Sequence, residues 1–165
     1  MKYEAKNPSD PGHPDYDQYM NLRGMVDKMH GENGIDINSS DISHRASAAM
    51  LRAYKTEAVR ENGTLDPDSR VDGVVLSRNN GRFDDVGGRY AIMYQGDPNS
   101  PTVRTLAVPT HELTQPAERN FEEVNRINQQ REQQYAQTQT REQDQRQQHH
   151  DHDQEQMNRG SRSLI

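Results

Sequence analysis

A chain of 165 residues with 29% apolar and 28% charged side chains has length for one domain and a tail, but too little apolar material to order from end to end. Its formal charge of −6 argues against a nucleic-acid partner, and the absence of cysteine excludes disulfide frameworks, thiolate zinc sites and cysteine nucleophiles. No apolar run approaches the roughly 20 residues that span a bilayer, and the start "MKYEAKNPSD" lacks the apolar core of a secretory signal, so no membrane insertion is expected.

Residues 1–12 read as a flexible N-terminal segment, and the head begins at 13. Pro14 suits the first position of a helix, where its missing N–H has no intrahelical acceptor, and Asp15 and Asp17 favour the positive end of the helix dipole. Tyr19, Leu22, Val26 and Met29 then recur on one helical face until the stop signals Gly31 and Gly34, giving a helix from about Pro14 to about His30. A second helix starts near "NSSD", with Ser40 or Asp41 as cap; Ile42, Ala46, Ala49, Met50, Ala53 and Tyr54 form a face of mostly small residues, and Gly63 ends it.

After "LDPDS" the period becomes strand-like. Residues 70–77, 89–95 and 102–108 are β-rich runs joined by the turn formers "NNGRFDDVGG" and "GDPNSP", which predicts a three-stranded antiparallel meander covered on one face by the two helices. In the second turn Gly96 permits positive φ, and Pro98 and Pro101 stiffen the loop. Pro116 opens a third helix with Glu118 in its first turn and Ala117, Phe121, Val124 and Ile127 as its stripe. That stripe stops at Gln129, and the glutamine-, charge- and histidine-rich residues 132–165 read as a disordered tail. The fold class is therefore α+β: a small head, residues 13–131, with helices packed on a three-stranded antiparallel sheet, followed by a disordered Gln-rich C-terminal tail.

Sites of chemistry are few. His149 and His152 of "HHDHD" lack surroundings that would orient them on a metal, so no metal site and no cofactor are expected. There is no phosphate loop, nucleophile elbow or His-Glu-x-x-His, and the acidic pairs Asp84–Asp85 and Glu122–Glu123 read as solvated, so no enzyme is expected. His13 reads either as a partner-contacting imidazole or as a ring that caps the first turn.

Four stretches, "HPDYDQY", "ENGTLDPDSRVDGVVLS", "IMYQGDPNSP" and "QPAERNFEEVNRINQQ", in this order and ahead of a glutamine tail, resemble the Xanthomonas-type Vir-interacting-protein conserved domain, found at the C-termini of type IV secretion effectors. The similarity covers about residues 8–148; Gly73 stands where the family has histidine, Ile92 replaces an aromatic and Asn120 a serine. The resemblance implies a secretion signal, recognised as a monomer by the cytoplasmic coupling ATPase, that carries an attached antibacterial toxin from the bacterial cytoplasm into rival cells. It makes His13, Pro14, Asp15, Tyr16, Tyr19, Arg70, Asp72, Gln95, Gly96, Arg104 and Pro116 the candidate partner-binding residues. Two other classes remain open on the sequence: a stand-alone adaptor or immunity-like binder, and a cryptic enzyme using the acidic and histidine residues.

Overall fold

A computed structural model describes residues 7–34, 40–58, 60, 63–67, 69–77 and 88–163, with the backbone alone for Ser40 and for residues 149–163. In chain order the elements are α1 (Tyr16–Glu32), α2 (Ser40–Ala58), β1 (Gly73–Leu76), β2 (Tyr90–Gln95), β3 (Arg104–Pro109), a 3₁₀ turn (Thr110–Thr114) and α3 (Ala117–Ser163). They fall into two units, Met1–Ile127 and Asn128–Ile165.

α1 starts two residues later than its proline predicts, with Asp15 as N-cap and Asp17 in the first turn. Its expected stripe is the buried one: Tyr19, Leu22, Val26 and Met29 are each at most 1% exposed, and side chains of this size contribute about 1.5–3 kcal/mol each on burial. Gly34, at φ +70 directly after the C-cap Asn33, supplies the left-handed residue that ends the helix. Residues 7–12, assigned to the flexible segment on sequence, form successive turns, with Pro8 fully buried and hydrogen bonds from the Asp10 N–H to the Asn7 carbonyl and from the His13 N–H to the Asp10 carbonyl.

α2 is the central helix. Residues 46–51 are buried without interruption, because α1 packs against one side while β3 and the 3₁₀ turn take others. Ile42, expected on the packing face, is instead 41% exposed, one turn before the enclosed stretch begins. The helix ends at Ala58, and Gly63 serves a different purpose from the expected stop: a Cβ there would run into the Glu57 carbonyl, so only glycine lets the returning chain pass.

The meander has the order β1-β2-β3, antiparallel throughout, with Gly73 opposite Tyr94 and Gln95 opposite Arg104. α1 packs on β1 and α2 on β3, the helical cover expected for so small a sheet. The 3₁₀ turn was not foreseen; it links the last strand to α3, packs against α2 and β3, and buries Leu113. Most of the "NNGRFDDVGG" turn, including the pair Asp84–Asp85, lies outside the described residues.

Ala117, Phe121, Val124 and Ile127 bury the start of α3 in the first unit. In the second unit the backbone is helical to Ser163, where the sequence reading has a disordered tail from 132. Glutamine, glutamate and arginine favour helix intrinsically, which accounts for the conformation, but residues 129–148 are all exposed. Their side-chain bonds are local, such as Thr138 Oγ1 to the Gln134 carbonyl at 2.9 Å and Gln139 Nε2 to Tyr135 Oη at 2.8 Å.

Candidate partner-binding surface

The residues singled out on sequence separate into buried supports and an exposed group. At the entry of α1, the Asp15 N–H donates to His13 Nδ1 at 3.0 Å, which places the ring proton on Nε2 and directs it to Asn125 Oδ1 at 2.7 Å. His13 is 5% exposed, and its ring is fixed between the N-cap Asp15 and Asn125 of α3. Asp15 turns its carboxylate to Lys55 Nζ at 3.0 Å, an ion pair with both side chains largely buried that ties the start of α1 to the last turns of α2. Pro14 is exposed beside this knot and Tyr16 half-buried.

Tyr19 lies inside the head. Its hydroxyl accepts from Arg23 Nη1 at 3.1 Å and donates to His44 Nδ1 at 2.7 Å, while its ring meets Phe121 and His44 edge to face at 5.8 and 5.9 Å between centroids. Burial pushes the phenol pKa up, against the opposing effect of the Arg23 hydrogen bond. The ring therefore joins α1, α2 and α3 from inside the head.

Gln95 is also internal, at 5% exposure. Its Oε1 accepts from the Asp66 N–H at 2.7 Å and its Nε2 donates to the carbonyls of Asp66 and Ser69 at 2.9 and 3.1 Å. Tyr54 Oη reaches the Pro67 and Ser69 carbonyls at 3.2 and 3.0 Å, so a residue of β2 and one of α2 together shape the "LDPDS" loop.

That loop delivers the exposed group. Arg70 Nη2 donates to Asn21 Oδ1 at 2.9 Å, and the same asparagine donates from Nδ2 to the Val71 carbonyl at 3.2 Å, fixing the strand entry to α1. Asp72 Oδ2 accepts the Gly96 N–H at 2.7 Å, with Gly96 at φ +97, so the two turns at this end of the sheet are joined. Arg104, opposite Gln95, is exposed at the start of β3. Arg70, Asp72, Gly96 and Arg104 are thereby gathered at one end of the sheet. Pro116 is exposed just before α3 and is not tied to them.

Alongside Asp72 a groove of about 540 Å³ opens between α1 and β1, lined in part by Met20, Lys28, Val75 and Tyr94. Met20 is 45% and Val75 41% exposed, so apolar surface adjoins charges of both signs, a composition suited to recognising a protein. Tyr94 covers Gly73: a Cβ at residue 73 would overlap its ring, so the aromatic side chain occupies the space that any larger residue there would need.

Sequence reasoning missed Asn21, Lys55, Tyr94 and Asn125 as organisers. Each lies off the apolar period, and only the pairing of Gly73 with an aromatic on the neighbouring strand left a trace in the sequence. No group of three or more His, Asp or Glu placed to hold a metal occurs among the described residues, and the side chains of His149 and His152 lie outside them. No helix described is long and apolar enough to cross a membrane.

Compared with known families, residues 9–126 match the family described as X-Tfes, XVIPCD, well over half of the chain. Compared with curated proteins, the chain has no match.

Proposed function

The chain belongs to the X-Tfes, XVIPCD family, domains of type IV secretion effectors, and from that premise we propose that it is an address label, grasped by the cytoplasmic coupling ATPase to send an attached antibacterial toxin into rival bacteria. The observation that carries the reading is a coincidence of boundaries. The family match ends at residue 126 and the first folded unit at Ile127, so the matched sequence contains every buried support named above.

In this proposal the ATPase docks at the end of the sheet that displays Arg70, Asp72, Gly96 and Arg104, with the neighbouring groove taking an apolar side chain of the partner. Pro14 and Tyr16 border the supports, and Pro116 lies apart. His13, Asp15, Tyr19 and Gln95 act by holding it in shape. Residues 128–165 add weak contacts that extend reach, or a leader for threading, with the ordering entropy met only on binding. The chain works as a monomer, waits in the bacterial cytoplasm before export, and performs no reaction itself.

Fusing residues 1–165 to an unrelated reporter tests this reading. A matching secretion system should export the fusion, and Arg70→Ala with Asp72→Ala should cut export while thermal stability stays within about 0.5 kcal/mol, the range of exposed substitutions. Retention of the reporter by every matching system would overturn the address-label reading. Tight capture of a toxin with no response from the ATPase would assign the chain to the immunity-like class instead.

A further inference from the structure

A second groove, of about 550 Å³, separates β3 from α2, with the 3₁₀ turn and the start of α3 completing its lining. Four consecutive β3 residues, 106–109, line it, so the strand presents its edge to the groove. β3 is an outer strand of the sheet. The Thr110 N–H donates to the Arg89 carbonyl at 2.9 Å, which makes these two a hydrogen-bonded pair. Antiparallel alternation then turns the peptide groups of Val108 and Leu106 toward β2 and leaves those of Thr105, Ala107 and Pro109 on the open side. Pro109, with no N–H to give, fits such an outward position.

A second observation is independent of the strand. Asn120 lines the same groove, is 2% exposed, and has no hydrogen-bond partner at Nδ2, while its Oδ1 accepts from Arg52 Nη1 at 3.4 Å. A buried amide donor left unmet is costly, and a ligand carbonyl would satisfy it. Across from the strand edge stand Ala49, Ala53 and Thr56, small enough to leave room for a backbone.

Charge sets the occupant's character. Arg52 and Arg119 both line the groove and neither forms an ion pair among the described residues. Of the two acids present, Glu57 is engaged by the Thr64 N–H at 2.7 Å and by Arg60 at 3.4 Å, which leaves the Glu112 carboxylate against two guanidinium groups in the lining.

We propose that this groove binds an extended acidic peptide, which adds as a strand to the edge of β3, accepts the Asn120 Nδ2 proton on a backbone carbonyl and sets a carboxylate against Arg52 and Arg119. The recognition follows strand addition, in which main-chain bonds supply affinity and side-chain pockets supply selectivity. It stands apart from the secretion reading, since it concerns binding by this chain alone.

The test is an NMR titration of the full chain with the capped pentapeptide Thr-Val-Asp-Val-Thr and its lysine-centred counterpart. The aspartate peptide should shift the Thr105 and Ala107 amides and the Asn120 side-chain amide, and bind about three- to tenfold more tightly than the lysine peptide. Ala107→Pro removes an edge donor, and Asn120→Leu removes the orphan amide at similar volume. Each should weaken the aspartate peptide about three- to tenfold, and if Ala107→Pro perturbs the strand, the Asn120→Leu comparison decides. No shift at roughly 5 mM peptide, equal affinity for both peptides, or unchanged binding in Asn120→Leu would each overturn the proposal.

Discussion

Replacing Gln95 with alanine separates a buried support from a surface contact. The side chain makes three hydrogen bonds to the backbone of Asp66 and Ser69 at 2.7, 2.9 and 3.1 Å, and at 5% exposure no solvent stands ready to replace it. Ser69 keeps a second donor, Tyr54 Oη at 3.0 Å, so the loss at that carbonyl is partial. Counting two full bonds and part of a third at about 0.5–1.5 kcal/mol each, with a smaller loss of packing, gives about 2–4 kcal/mol. A domain of this size would lose roughly 10 °C in its thermal midpoint. Urea denaturation followed by circular dichroism measures the change, and hydrogen exchange should show the Asp66 amide opening first. Because Tyr54 shapes the same loop, Tyr54→Phe combined with Gln95→Ala should cost less than the sum of the single changes. A Gln95→Ala protein within 0.5 kcal/mol of the parent, by the threshold for exposed sites, would refute the support role.

Burial holds the His30 imidazole below its ordinary value of 6.5, against a smaller opposing pull from Asp27, so the unfolded chain binds protons more readily than the folded one. Its contribution to stability is full above about pH 6.5 and declines as the pH falls toward the folded value; an NMR titration giving 6.5 or higher for His30 would contradict this. Gly73→Ala should destabilise by about 1–3 kcal/mol, because the added Cβ displaces the Tyr94 ring, and the penalty should shrink in a Tyr94→Ala background. Equal penalties in both backgrounds, read by urea denaturation, would deny that Tyr94 fills the site. Amides from about Gln134 to Gln148 should exchange far faster than those of Phe121–Ile127, since the exposed helix has no tertiary packing to protect it; protection equal to that of Phe121–Ile127 would show that something packs against it.

Helix faces and strand order were legible wherever one period governed a run. The α1 stripe of Tyr19, Leu22, Val26 and Met29 and the α3 stripe of Ala117, Phe121, Val124 and Ile127 were read from spacing alone, and all eight residues are buried. The meander followed from its turns. What escaped was set by tertiary enclosure: residues 46–51 of α2 are covered on several sides at once, a state no single period encodes, and Ile42 is left outside it. At the site the candidate residues were found, but their roles divided only in three dimensions. Gln95 and Arg104 face one another in register, yet one clamps a loop inside the head and the other stands in solvent. Boundaries shifted where prolines were read as first helical residues, since Pro14 and Pro116 both precede their helices.

Calorimetric titration of the full chain against the cytoplasmic region of the coupling ATPase tests the central claim most directly. Saturable binding that weakens at least tenfold, about 1.4 kcal/mol, in an Arg70→Ala, Asp72→Ala chain of unchanged stability is the predicted result. No heat of binding, or binding indifferent to those two residues, would contradict the assignment of this surface to the transport motor.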